Sequence, residues 1–195
     1  MGKLDDAGLD LIFRNARTAQ GFLDKPIEPG LLQKVYELAE LGPTGSNSVP
    51  MRVVFVTSRE AKEKLKPAMA PGNADKTMAA PATAIVAYDT AFYEKMDRLF
   101  PMRDVRPGFR ANPEMAAKQG LSGAWLQAGY LMVAARSLGL DCGPMGGFDN
   151  AKVDAAFLEG TGWKSVVLVN LGYIDPAKVM PRLPRLSFEE ACKVV

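Results

Sequence analysis

Polar and glycine-rich residues gather in four short segments that lie where helices or strands are predicted to end. Backbone N–H groups are free at such ends, and arginine forks, hydroxyls and side-chain amides beside them are groups that bind phosphate. The segments cover residues 15–20, 42–50, 72–76 and 143–149, and Arg182 and Arg185 follow the last predicted strand. Together they predict a site for an anionic ligand.

Each segment also fits an ordinary structural role when it is taken alone. Arg17 lies near a predicted helix end, where a basic residue commonly partners the helix dipole. Residues 42–50 resemble a plain turn, and the spacing of Asn73 and Lys76 suits a solvated first helical turn. Gly146 and Gly147 allow a flat ligand to approach the main chain, but the Gly-x-Gly-x-x-Gly dinucleotide fingerprint is missing. Both interpretations stay open on spacing alone.

The composition excludes several kinds of chemistry. The chain has no histidine and only two cysteines, so Ser-His or Cys-His catalysis and a metal site are not expected. A net charge of +2 without a Lys/Arg run argues against nucleic acid, and no apolar stretch is long enough for a membrane span. The N-terminus lacks a signal-peptide pattern, so we expect a cytoplasmic protein that takes its chemistry from an organic cofactor.

The coarse pattern predicts one domain over residues 1–195, with helices enclosing a sheet of four or five strands. Three β-branched runs predict strands at 52–57, 83–88 and 165–170. Helices are predicted at 9–17, 29–41, 59–66 (short and exposed) and 150–159. Residues 92–118 contain three prolines and little periodicity, which predicts a lid or partial disorder.

A helix predicted at 119–138 has almost no polar face. A helix that is apolar all round must be buried on every side, which a chain of this size achieves most easily with a partner subunit. We therefore expect a central helix near a dimer interface. The alternative is a core helix of a monomer.

The four segments, in this order, resemble the nitroreductase family of FMN-dependent oxidoreductases, and the resemblance covers nearly the whole chain. Within the family, the stretches ARTAQGFLDKP, LGPTGSNS, GNADKTMAAPATAIVA, LGLDCGPMGGFD and PRLPRLSFEEA are most similar to a subgroup described as malonic semialdehyde reductases. The resemblance implies an α+β fold, an α/β sandwich with a central, mostly antiparallel sheet enclosed by helices. It also implies an intertwined homodimer with one FMN in each of two interface sites.

The resemblance assigns roles to twelve residues. Near the FMN phosphate and ribityl chain it places Arg17, Thr18, Gln20, Arg182 and Arg185. At the flavin ring it places Asn73, Lys76, Gly146 and Gly147, with Lys76 stabilising negative charge on the pyrimidine edge. From the partner subunit it brings Thr44, Ser46 and Asn47. Four departures from the family pattern, at Ala16, Gln20, Gly146 and Val49-Pro50-Met51, lead us to expect weaker FMN retention.

The resulting hypothesis is ping-pong hydride transfer from NADH or NADPH, through FMN, to a small electrophile such as an aldehyde, nitroaromatic or quinone. No catalytic side chain is expected, because FMN carries the chemistry. Arg103, Arg106 or Arg110 is a candidate for binding a substrate carboxylate, and the alternative is that all three are solvated loop charges. Two rival interpretations are a flavin-binding module without turnover and a flavin-free α/β enzyme.

Overall fold

A computed structural model describes residues 2–195 and contains a four-stranded sheet. Its strands are β1 (Met51–Val56), β2 (Ala82–Asp89), β3 (Asp141–Met145) and β4 (Trp163–Gly172), in the order β1-β2-β4-β3 with every neighbouring pair antiparallel. The α-helices over the described residues are α1 (Asp6–Leu9), α2 (Leu31–Ala39), α3 (Arg59–Leu65), α4 (Pro71–Ala79), α5 (Met96–Leu99), α6 (Arg106–Ala111), α7 (Pro113–Ser137), α8 (Asn150–Val153) and α9 (Phe188–Ala191).

Helices cover both faces of the sheet. Because alternate residues of a strand point to opposite sides, each central strand contributes side chains to the core on both faces. Ala84 and Val86 of β2 join the core beneath α2 and α7, whereas Ile85 joins the core beneath α3 and α8. Val169 and Leu168 of β4 divide in the same way. The predicted α+β sandwich around an antiparallel sheet is therefore confirmed.

The sequence pattern located three strands of the sheet, and β3 was not among them. Gly143 and Pro144 are poor strand residues, but β3 lies at an edge of the sheet, where a missing N–H is tolerated. Gly143 is needed at this position, because a Cβ there would lie 2.7 Å from the carbonyl oxygen of Ala19. The close approach lets Ala19 donate its N–H to the carbonyl of Cys142 at 2.9 Å.

The first helix begins and ends earlier than predicted. It is capped by Asp5, runs through α1 and continues as a π-helical turn that ends at Arg14. Residues 15–20 are therefore outside the helix, and Thr18 forms a parallel bridge with Cys142 beside β3. The helix predicted at 150–159 is α8 followed by a π-helical turn that ends at Leu158, and Gly160, with φ of 73°, follows this turn.

The prediction of a lid or disorder for 92–118 is wrong about the disorder. A 3-10 turn (Phe92–Lys95), α5, α6 and the start of α7 fill this segment. Two of its three prolines start helices instead of breaking them, since Pro107 and Pro113 both stand in the first turn of one. Phe92 and Phe109 are buried and pack edge to face at 5.2 Å between ring centres, with Met96 beside them. The segment has a small core of its own.

Helix α7 is buried on one half of its circumference and exposed on the other. At about 100° per residue, Ala124, Ala128 and Leu131 lie on the half that packs against α2 and the sheet. The opposite half carries large apolar side chains that are 39–49% exposed, namely Leu121, Trp125, Leu126 and Tyr130. Within one chain α7 is therefore buried on one side only, and the expected partner subunit on its other side stays a prediction.

Helix α3 was predicted to be exposed, and this is wrong in part, because its Lys62 is only 4% exposed. The Lys62 ammonium donates a hydrogen bond to the carbonyl of Thr77 in α4, at 3.2 Å. Desolvation lowers the pKa of Lys62 from 10.5 to about 8, and the positive charge of Arg59 acts in the same direction.

This buried amine predicts a pH dependence of stability. Between about pH 8 and 10.5 the unfolded chain holds a proton on Lys62 that the folded chain has released, so the free energy of unfolding rises with pH. Relative to Lys62→Met, the wild type is expected to gain up to about 3 kcal/mol across this window. Urea unfolding of both proteins at several pH values measures the difference. Parallel curves would show that Lys62 keeps an ordinary pKa in the folded chain.

Candidate functional site

Four arginines lie close together where the first helix, the end of α7 and the C-terminal segment meet. Desolvation lowers the pKa of the Arg182 guanidinium, and the positive charges of Arg17, Arg185 and Arg136 lower it further. Within residues 2–195, none of the four is ion-paired with a carboxylate. Grouped cations without counter-charges attract an anion.

Arg17 is the member of this cluster whose unpaired guanidinium most directly indicates a ligand. Its Nη1 atom is buried and has no hydrogen-bond partner among the described residues. A buried donor without an acceptor costs free energy, more so when it carries charge, and native structures pair almost all such groups. An anion with several oxygens, such as a phosphate, would satisfy it.

Arg182 holds the backbone that carries Arg17. Its Nη2 atom donates to the carbonyls of Phe13, Arg14 and Ala16 at 3.0, 2.7 and 2.9 Å. These carbonyls lie at the end of the first helix, where acceptors are left over by the helix itself. Arg185 donates to the neighbouring carbonyls of Leu183 and Pro184. Arg182 therefore fixes the position of the cluster as well as adding charge.

A second group of predicted site residues lies near Gln20, which follows Thr18 in the chain. The Nζ atom of Lys76 donates to Oε1 of Gln20 at 3.3 Å, and the Nδ2 atom of Asn73 donates to the carbonyl of Gly147 at 2.8 Å. Gln20 follows Arg17 by three positions in the chain, so at most about 10 Å joins the two groups. Lys76 contacts a neutral amide and forms no ion pair among the described residues, so its charge is not compensated there.

The two glycines of this group differ in their surroundings. A Cβ on Gly147 would lie 2.6 Å from Nδ2 of Asn73, so the bare backbone is needed for that contact. A Cβ on Gly146 would meet nothing within 4 Å, and the residue is exposed. Gly146 therefore presents open main chain beside Asn73 and Gly147, as the prediction of close approach by a flat ligand requires.

A buried polar network holds α4, and with it Asn73 and Lys76, against the sheet. Thr83 donates to the amide oxygen of Asn170 at 2.7 Å, and Nδ2 of Asn170 donates to Oγ1 of Thr77 at 3.3 Å. Thr77 in turn donates to Sδ of Met145, the last residue of β3, at 3.5 Å. Thr77, Thr83 and Asn170 are fully buried, so the network links α4 to β2, β3 and β4.

The segment 44–49 is not brought to these two groups within one chain. Thr44 accepts a hydrogen bond from the N–H of Val49, and Asn47 donates to the carbonyl of Leu99, the last residue of α5, at 2.8 Å. Ser46, Asn47 and Val49 have φ values of 52°, 51° and 40°, and such backbone strain is most common at functional sites. Their predicted role, contact with the cofactor of the partner subunit, stays a prediction.

Sequence reasoning missed Arg136, which the structure adds to the arginine cluster. Its Nη1 donates to the carbonyl of Ile12 at 3.3 Å, and its Nε is buried without a partner among the described residues. A signal was available, since Arg136 is the basic residue in the last turn of a helix that otherwise reads as apolar.

The site has the groups for binding and charge stabilisation but no acid-base pair. Within residues 2–195, no three acidic, cysteine or histidine side chains are placed to hold a metal ion. Burial raises the pKa of the Cys142 thiol to about 12, so this cysteine is not a thiolate nucleophile. The site thus suits an anionic cofactor that brings its own reactivity.

No helix in the described part of the chain has the length and apolar character to cross a membrane.

Comparisons with known proteins place the chain in a class of redox proteins. The profile described as Nitroreductase family matches residues 13–173. A relative from Stenotrophomonas maltophilia (strain K279a) is 56% identical over 191 residues, covering 98% of this chain and 97% of the relative. It carries the provisional name NADH dehydrogenase/NAD(P)H nitroreductase. The chain belongs to the nitroreductase family.

Two solved structures show the same fold. A nitroreductase family protein from Streptococcus pneumoniae TIGR4 superposes with a TM-score of 0.85 at 22% identity, covering 96% of this chain and 99% of that one. A protein from Exiguobacterium sibiricum 255-15, described as a nitroreductase in complex with FMN, superposes with a TM-score of 0.84 at 20% identity over the full length of both chains. These likenesses confirm the nitroreductase-like fold predicted from the sequence.

Proposed function

We propose that this protein is an FMN-dependent NAD(P)H oxidoreductase that reduces a small electrophile by ping-pong hydride transfer, with residues 1–195 forming a single FMN-binding domain in the cytoplasm. The FMN complex of the Exiguobacterium protein and the NAD(P)H named for the Stenotrophomonas relative support the proposal. Family membership supports redox chemistry in general.

The single observation that carries the proposal is the unpartnered Nη1 of Arg17 inside a cluster of four arginines. A phosphate bound there would pair the buried donor and offset the repulsion among the cations. The same short segment leads to Gln20 and Lys76, so a ligand held by its phosphate would extend toward an uncompensated cation and the open main chain at Gly146. FMN has a phosphate at one end and a flat ring at the other.

When bound, FMN supplies the two-electron hydride chemistry that no side chain of this protein offers. Lys76 would stabilise negative charge that develops on the pyrimidine edge of the ring, from a position fixed in advance by α4. Asn73 orients the main chain at Gly147. The buried network of Thr77, Asn170 and Thr83 holds α4 in position against the sheet. In this proposal the final proton comes from water.

The proposed assembly is a homodimer that completes each FMN site. The exposed apolar half of α7 supports this, because a partner subunit would cover Trp125 and its neighbours. The dimer would also bring the strained loop around Ser46 of one subunit toward the flavin held by the other. In the single chain that loop is hydrogen-bonded to α5 and α7.

The direct test is FMN reconstitution followed by anaerobic reduction. The purified protein, mixed with FMN and desalted, is expected to keep flavin absorbance that NADH or NADPH bleaches, and an added electrophile should restore the colour. Bound flavin that neither nicotinamide bleaches would favour a binding module without turnover. A protein that binds no FMN even while excess FMN is present would exclude flavin chemistry. Comparing NADH with NADPH gives the nucleotide preference.

The finer proposal is that the protein is a malonic semialdehyde reductase, which rests on the sequence stretches of that subgroup. Malonic semialdehyde is expected to reoxidise the reduced enzyme with kcat/KM at least equal to that for a nitroaromatic or a quinone. Stopped-flow oxidation of the pre-reduced enzyme compares the three electrophiles directly. If the aldehyde is not reduced while the nitroaromatic is, the subgroup assignment fails and the general oxidoreductase remains.

A further inference from the structure

Two neighbouring cavities lie beside the strained loop of residues 44–49. One, of about 340 Å³, is lined by Ser46, Arg103, Asp104, Val105, Gly108, Phe109 and Met115. The other, of about 450 Å³, is lined by Gly45, Met115, Lys118, Gln119, Ser122, Gly123 and Leu126. Met115 borders both, and Gly45 and Ser46 are adjacent, so the two form one groove along the loop. We call it the 45/103 groove.

The charges that line the 45/103 groove leave it positive. Arg103 and Lys118 form no ion pair within residues 2–195. The one acidic lining residue, Asp104, is held by Arg106 through two contacts of 2.8 and 3.1 Å. Those hydrogen bonds lower the pKa of the Asp104 carboxyl, so it is ionised and already matched by a cation.

The structure also distinguishes the three arginines that the sequence offered for binding a carboxylate. Arg106 is occupied by Asp104 and Asp97, and Arg110 forms a fork with Glu94. Arg103 alone of the three has no acidic partner among the described residues. Its guanidinium therefore remains available for an anionic ligand.

Two contacts fix the groove in place. Asn47 donates to the carbonyl of Leu99, which holds the loop against the end of α5, four residues before Arg103. Gln119 donates to the carbonyl of Gly45 at 3.2 Å, which holds the same loop against α7 beside Lys118. The two cations consequently flank a loop whose positive φ values mark a backbone conformation maintained at a cost.

We propose that the 45/103 groove is the subsite that binds a carboxylate on the electrophile, with Arg103 and Lys118 as its specificity-determining residues. This inference rests on the proposed function, because the groove serves catalysis only if the loop reaches an FMN in the dimer. A cleft lined by one sign of charge concentrates ligands of the opposite sign and raises their rate of association. The reductase would therefore prefer small electrophiles that carry a carboxylate over neutral ones.

A pair of electrophiles that differ only in charge tests the proposal. 4-Nitrobenzoate and 4-nitrobenzamide share the nitro group and the shape, and each is mixed with the pre-reduced holoenzyme so that the nucleotide step is excluded. The ratio of kcat/KM for the acid over the amide is expected to exceed one and to fall about tenfold in Arg103→Ala. Lys118→Ala should lower it independently, and Arg103→Lys should restore much of it.

The control is Arg98→Ala, which removes an exposed arginine of the same segment outside both cavities and should leave the ratio at its wild-type value. A ratio that is unchanged in Arg103→Ala and Lys118→Ala would overturn the proposal. Flavin reduction by NADPH and by NADH is measured separately, and a loss in Arg103→Ala confined to reduction by NADPH would also overturn the proposal, because it would assign the groove to the nucleotide phosphate. Failure of FMN to bind or bleach in the wild type would instead overturn the proposed function, so the two failures are distinguishable.

Discussion

Replacing Lys76 with methionine is expected to slow anaerobic reduction of the bound flavin about a hundredfold while the protein stays folded. The size follows from the loss of one preorganised group that stabilises developing negative charge. Lys76 suits this role because its one hydrogen bond, at 3.3 Å, goes to the neutral amide of Gln20, so no carboxylate offsets its charge among the described residues. Stopped-flow reduction by excess NADH or NADPH measures the rate.

A second readout separates this electrostatic role from a structural one. The midpoint potential of the bound flavin should become more negative in Lys76→Met and return toward wild type in Lys76→Arg, which keeps the charge. Lys34→Met, which removes an exposed lysine from α2, serves as the control and should change neither quantity. If Lys76→Met reduces at the wild-type rate with an unchanged potential, Lys76 has no part in stabilising the reduced flavin.

Replacing Trp125 with glutamate is expected to give a monomer that no longer retains FMN. Trp125 is 49% exposed in the single chain and lies among other apolar side chains on the outer half of α7. A charge buried in an interface without a partner costs several kcal/mol, which corresponds to more than about a hundredfold in the dimer dissociation constant. Because the proposed FMN site needs both subunits, loss of the dimer should remove the cofactor as well.

Sedimentation velocity and flavin content, measured on the same samples, test this prediction. Trp125→Phe keeps the surface apolar and is the matched control, for which we expect a dimer with bound FMN. Unfolding of Trp125→Glu is checked by far-UV circular dichroism, since an exposed position should accept glutamate within a folded chain. A wild-type protein that sediments as a monomer, or a glutamate variant that still sediments as a dimer, would contradict the proposed interface.

The fold was predictable wherever one physical signal was strong. The runs that became β1, β2 and β4 are β-branched and continuous, because both faces of the sheet are covered by helices. Strand β3 could not be predicted from its own residues, because Gly143 and Pro144 are poor strand formers. The close approach of Ala19 and the edge position that accommodate them are features of the tertiary structure. The helical structure of residues 92–118 was not predictable for a similar reason, since the sequence does not distinguish prolines that start helices from prolines that break them.

The site was predictable in its residue types but only in part in its geometry. The contacts of Gln20 with Lys76 and of Asn73 with Gly147 join segments that the sequence had already singled out. Arg136 was not predictable as a member, because it comes from a helix end that approaches Arg17 only in the fold. The role of Arg182 as a ligand of three backbone carbonyls likewise depends on where the C-terminal segment crosses the first helix.

The affinity of FMN relative to riboflavin, in the wild type and in Arg17→Ala, tests the central claim most directly. Riboflavin lacks only the phosphate, so the ratio of the two dissociation constants isolates the arginine cluster. The wild type should prefer FMN, and Arg17→Ala should lose about tenfold to a hundredfold of that preference with little change for riboflavin. Arg59→Ala, on the exposed face of α3, should behave as wild type. Equal preference for FMN in wild type and Arg17→Ala would show that the phosphate is bound elsewhere.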